Sequence, residues 1–137
     1  MSRSLIAAVL AFAAIGVGTP ARACAVHEPL NLGDARNADV VVIGRISGQQ
    51  REGRNPPALT VTVDEVLTGR AARSLRVAIE PGLGVSPAMM RGQVLIALRR
   101  SSPAGLAIMQ HICSDPFILD ARSRQARLVR WMLTRQR

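Results

Sequence analysis

The sequence predicts a mainly β fold, a small closed barrel of five strands followed by one C-terminal α-helix. Three observations carry this expectation. Ala38 to Gly69 holds two β-rich runs joined by a polar Gly/Pro loop, which reads as a hairpin. Three further apolar runs follow at short intervals, and from Asp120 the periodicity turns helical. Five antiparallel strands within about 75 residues would leave exposed edges unless they closed on themselves. A sandwich is the alternative architecture, but it usually takes about seven strands.

Residues 1–23 read as a secretory signal peptide. Arg3 supplies the positive start, Leu5 to Thr19 the short uncharged run, and Ala21-Arg22-Ala23 the small-x-small cleavage end. A spanning helix needs about 20 apolar residues, more than this run offers. Cleavage after Ala23 leaves residues 24–137 as one domain of 114 residues, with the barrel at about 38–113 and the helix at about 120–135. The expected location is outside the cytoplasm, periplasmic or secreted, with no transmembrane segment in the mature chain. A lipid anchor on Cys24 is the alternative, and Ala21 and Arg22 suit its recognition pattern poorly.

The elements follow in order. Cys24 to Leu30 is an irregular lead-in, and Asn31 to Asn37 can hold one helical turn with Asn31 as its cap. Val40 to Ile46 is the first strand. Its apolar run is continuous, as expected where both faces are buried or the strand coils between two halves of a barrel, and Gly44 within it marks a bulge or bend. After the Ser47 to Pro57 loop, Leu59, Val61 and Val63 alternate with polar residues as a half-buried second strand. That alternation breaks at Glu65-Val66-Leu67, a bulge signal before a Thr68-Gly69 turn.

Leu75, Val77 and Ile79 alternate as the third strand. Pro81 to Gly92 is a long loop with a turn near Ser86 to Met90, tucked over the barrel mouth. Val94 to Leu98 is the fourth strand, Arg99 to Gly105 a hairpin loop, and Leu106 to Ile112 the fifth strand. In the helix, Ala121, Gln125, Leu128, Val129, Met132 and Leu133 share one face, with Asp120 as candidate cap and Arg135 and Arg137 at the negative end of its dipole.

Two cysteines at opposite ends of an exported domain read as one disulfide, Cys24–Cys113. Without Arg3 and Arg22, 16 arginines face nine acidic residues, a net charge of +7 with no lysine. That balance suits an anionic surface or an acidic protein partner. Nucleic acid is not expected, because stacking platforms need aromatic rings and the mature chain has only Phe117 and Trp131. Arg70, Arg73, Arg76, Arg99 and Arg100 form one candidate basic patch, and the terminal helix offers another. An Arg-rich amphipathic helix can lie on an anionic membrane, but docking on the barrel explains its apolar stripe more simply.

No enzyme is expected. The chain has no Gly-x-Ser-x-Gly elbow, and Asp64 and Glu65, as strand neighbours, point to opposite faces unless a bulge realigns them. No catalytic residue and no cofactor is assigned. Cys24, His27, His111 and Cys113 form the alternative, a periplasmic metal site of suitable ligand types, which needs reduced thiols. The disulfide with two incidental histidines is preferred on the redox argument.

Asp39-Val-Val-Val-Ile-Gly-Arg-Ile46 and Thr60-Val-Thr-Val-Asp-Glu-Val-Leu-Thr-Gly69 together resemble the opening hairpin of netrin-like domains. These include the tissue inhibitors of metalloproteinases. Gln93 to Leu98 resembles a later strand of that family, and Leu106 to Cys113 with Ser114-Asp115-Pro116-Phe117 resembles its last strand and following cysteine. Thr68 stands where the pattern usually has Lys.

The resemblance covers most of the mature chain. It implies an OB-like barrel and a non-enzymatic interaction module, with protease inhibition as its sharpest form. The inhibitors begin Cys-x-Cys, and their first cysteine chelates the protease zinc. Cys24 resembles the second of those cysteines, and the first would fall at Arg22, which cleavage removes.

Overall fold

A computed structural model describes residues 26–50, 57–79, 86–101, 105–111 and 113–135. The expected signal peptide, Cys24, most of the Ser47–Pro57 loop, residues 80–85 and the hairpin tip at 102–104 lie outside these described residues. A 3-10 turn, Leu32–Asn37, precedes six strands: β1 Val40–Gln50, β2 Ala58–Thr68, β3 Ser74–Ala78, β4 Gln93–Ser101, β5 Gly105–Ile108 and β6 Ile118–Asp120. The helix α1, Arg124–Thr134, ends the described chain.

Hydrogen bonding runs β1-β2-β3-β5-β4 and returns from β4 to β1, so the first five strands close a barrel of OB-like order. The strands were expected to be antiparallel throughout, but β3 and β5 pair in parallel at Val77↔Leu106 and Ala78↔Ala107. The reason is parity: an odd number of strands in a closed ring cannot alternate direction everywhere, so one neighbouring pair must run alike.

Closure explains the apolar runs. Val40, Val42, Leu59, Val61, Leu75, Val77, Val94, Ile96 and Leu98 fill the barrel interior. Their neighbours Val41, Ile43, Leu95 and Ala97 face outwards, where Ala35, Ala38, Phe117, Leu119 and the α1 residues Ala126, Val129 and Leu133 cover them. Strands β1 and β4 are therefore buried on both faces, and their sequences are continuous rather than alternating. Met89 and Met90, half-buried, pack against the interior cluster from the turn at residues 87–90, as the tucked loop requires.

The first hairpin coils through three register shifts, at Val41/Val42, Ile43/Gly44 and Ile46/Gly48. At Gly44 the β2 backbone comes so close that a Cβ atom would lie 2.3 Å from the Thr62 carbonyl oxygen. Gly69, with φ +77°, ends β2 where a Cβ would lie 2.2 Å from the Asp39 oxygen.

Several boundaries differ from expectation. β1 runs on to Gln50 and β4 to Ser101, into residues read from the sequence as loops, because each goes on pairing with its hairpin partner. The fifth strand stops at Ile108, because Met109 N donates to Ala97 O at 2.9 Å and Phe117 N to Met109 O at 2.8 Å, closing 110–116 into a side loop. Cys113 sits in that loop at φ 70°, a left-handed conformation outside the strand range. The chain then returns as β6, a strand absent from the sequence expectation, pairing Ile118 with Ile96 and Asp120 with Val94.

The helix begins at Arg124, and its cap is Ser123 rather than Asp120. Ser123 Oγ accepts from Ala126 N at 3.1 Å, whereas Asp120 ends β6 and its carboxylate accepts from Arg122 N at 2.8 Å. The buried face is Ala126, Val129 and Leu133, with Met132 partly buried; Gln125 and Leu128, expected on that face, are exposed. Among the described residues no helix is long and apolar enough to cross a membrane.

Candidate functional site

The 110–116 loop and the N-terminal lead-in come together beside the barrel. Glu28 N donates to Cys113 O at 2.9 Å, and Glu28 forms a parallel bridge with Ser114. Ser114 is buried and holds the loop's shape. Its hydroxyl accepts from His111 N at 3.1 Å and lies within donating distance of the His111 and Asp115 carbonyls. Gln110 Nε2 donates to Ser114 O at 3.0 Å, tightening the loop from within.

The two histidines do not meet at one centre. His27 Nε2 lies 3.2 Å from Asp115 Oδ2, and His111 Nε2 lies 2.9 Å from Asp34 Oδ2. Each imidazole thus clips a different segment to the loop, His27 from the lead-in and His111 towards the 3-10 turn. No group of three or more His, Cys, Asp or Glu with metal-site spacing occurs among the described residues, and Cys24 lies outside them.

Beside these clips lies a cleft of about 480 Å³, bordered by His27, Pro29, Leu30, Asp115, Leu119 and Gln125. Ser86 and Met89 separate it from a smaller cavity of about 230 Å³ that reaches Gln93, Val94 and Asp120. Its lining is mainly apolar with His27, Asp115 and Gln125 among it, an arrangement suited to receiving a partner's side chain. Val26, at the outer end of the lead-in, is 72% exposed.

The carboxylate neighbours Asp64 and Glu65 are used separately. Arg45 Nη2 donates to Asp64 Oδ1 at 2.9 Å, Arg45 Nε to Oδ2 at 3.2 Å, and Gln93 Nε2 to Oδ2 at 2.8 Å. Arg45 and Gln93 are direct partners across β1 and β4, so the bulged Asp64 staples three strands. The Arg45 hydrogen bonds, then that from Gln93, hold the Asp64 carboxyl below the usual carboxylate range, and Asp64 raises Arg45 in turn. Glu65 instead faces the helix and pairs with Arg130 of α1.

Of the candidate basic patch, Arg76 on β3 and Arg99 on β4 are exposed on strands that flank β5, and Arg70, Arg73 and Arg100 are exposed as well. Arg100 N donates to Asp39 Oδ2 at 2.7 Å, which fastens the end of β4 to the start of β1.

Sequence reasoning missed Asp34 as the partner of His111, Gln93 as the partner of Asp64, and the structural part played by Ser114. All three are long-range or loop-closure relations that leave no local periodicity. Compared with protein-family models, the chain matches none, and no curated protein matches it either.

Proposed function

We propose that the chain is an exported, non-enzymatic binding module of netrin-like type whose recognition surface is the N-terminal lead-in and the cleft beside it, acting as a protease inhibitor in its sharpest form. The observation that carries this reading is the Glu28 bridge to Cys113 and Ser114. It fixes Glu28, five residues beyond the expected cleavage point, so that a new terminus at Cys24 would follow from a braced position. The exposed Val26 would stand beside it as an apolar contact. Bracing of this kind removes ordering cost from binding.

The same bridge supports the Cys24–Cys113 disulfide. Four peptide steps separate Cys24 from Glu28, a reach of at most about 14 Å, and Glu28 already touches Cys113. A disulfide needs Cα atoms only about 4.4–6.8 Å apart.

Two measurements test the proposal. Mass spectrometry of the exported protein should show Cys24 as the first residue and a mass two hydrogens below that of the dithiol. Titration against a panel of secreted zinc proteases should then give stoichiometric inhibition, abolished by one alanine added ahead of Cys24. Inhibition unaffected by that alanine would remove the terminus from the mechanism, and no inhibition of any protease would remove the inhibitor role. A stoichiometric metal in protein lacking the disulfide would favour the Cys24, His27, His111 and Cys113 set instead.

A further inference from the structure

Burial of Ala126, Val129 and Leu133 leaves the opposite side of α1 facing solvent. Arg124, Arg127, Leu128, Trp131 and Arg135 stand there at i, i+3, i+4, i+7 and i+11, the spacing of one helical face. An outward face is ordinarily polar throughout. This one exposes Leu128 at 46% and Trp131 at 51%, with three arginines around them and no acidic residue within the helix. Arg130, on the flank, is already paired with Glu65.

We infer that this outward face docks on an anionic lipid bilayer. Tryptophan settles at the boundary between headgroups and acyl chains, where its ring is apolar and its N–H stays wet. Arginine stems lie along apolar surface while their guanidinium groups remain at phosphate level. Arg135 Cζ lies 4.3 Å from the centre of the Trp131 ring, so cation and ring are already side by side. Leu128 supplies a second apolar contact one turn away, and the docked inner face holds the helix parallel to the surface it would meet.

Charge decides the occupant. A second copy of this chain would bring three arginines against three arginines. A zwitterionic surface offers the apolar contact without the attraction, whereas an anionic one offers both. This surface lies on α1 and does not depend on the proposed inhibitor role.

Trp131 is the only tryptophan in the chain, so its fluorescence reports on this face alone. The protein, secreted from the full-length gene, is titrated with phosphatidylglycerol vesicles and with phosphatidylcholine vesicles. The expected result is a blue shift and co-sedimentation with the first, weakened by salt, and neither with the second. Replacing Arg124, Arg127 and Arg135 by Gln should weaken partitioning by about fivefold per arginine, about a hundredfold together. Leu128→Ser should weaken it at unchanged charge. Because all four side chains are exposed, these variants should keep the wild-type melting temperature. Equal binding to both vesicle types, binding unchanged in the triple variant, or no blue shift would each overturn the proposal. Binding to soluble polyglutamate without vesicle binding would also overturn it and mark the face as a site for acidic protein.

Discussion

At the scale of single residues, two glycines and one carboxylate set the course of the first hairpin. Gly44 is required by close approach, since a methyl group there would meet the Thr62 carbonyl at 2.3 Å. Neither β1 nor β2 can give way, because Ile43 and Val61 on either side of the contact are buried. Gly44→Ala should therefore cost about 2–4 kcal/mol in chemical denaturation. Asp64 gives a test by pH. Its folded pKa is depressed, chiefly by the Arg45 hydrogen bonds, so its contribution is fully present above the unfolded carboxylate value and is lost as pH falls through the folded one. The difference in denaturation midpoint between wild type and Asp64→Asn should be widest near neutral pH and should close under strong acid. A gap that persisted below both values would assign the effect to shape rather than charge. Gly44 was legible in the sequence as a bend, because glycine inside an apolar run has few other uses. The Asp64 staple was not, because Gln93 joins it from a strand 29 residues away.

At the scale of elements, the helix shows how far periodicity reaches. Its existence follows from the apolar spacing after Asp120, but which residues turn inward was misjudged at Gln125 and Leu128. Two apolar sets share the helix, and only the barrel surface selects between them. Val129 and Leu133 match the outward-facing apolar residues of β1 and β4, and Leu128 points the other way. The cap is the second case. Asp120 and Ser123 are both good cap residues, and β6 decides by drawing Asp120 into the sheet beside Val94. Ser123→Ala should accordingly destabilise the protein by about 1 kcal/mol, measured by thermal or urea unfolding. Asp120→Asn should cost less, because Ser123 alone caps α1.

At the scale of the whole molecule, the barrel and its terminal segments are fastened at separate places. The β3–β5 pairing closes the barrel, Glu65 with Arg130 ties α1 to β2, and Glu28 with the 110–116 loop ties down the lead-in. A Cys24–Cys113 bridge would add a covalent fastening around a loop of about 90 residues, worth about 4–5 kcal/mol in the chain-entropy model. Unfolding of wild type with and without reductant should differ by that order, and the Cys24→Ser, Cys113→Ser double variant should match the reduced form. Equal stability under both conditions would leave the lead-in held by the Glu28 bridge and the His27–Asp115 contact.

The sequence by itself determined the fold class, because a closed barrel backed by a helix must bury both faces of β1 and β4, and that requirement is written directly into their uninterrupted apolar runs. It also marked the bends at Gly44 and Gly69, since glycine inside an apolar run or at the end of a strand has few other uses, although the backbone that requires them, at Thr62 and Asp39, comes from elsewhere in the chain. Only the tertiary structure decided that β3 and β5 run parallel, that His27 and His111 take separate carboxylates, and that Leu128 and Trp131 face outwards. Each of these depends on segments brought together by closure of the barrel, and distance in space leaves no period in the chain.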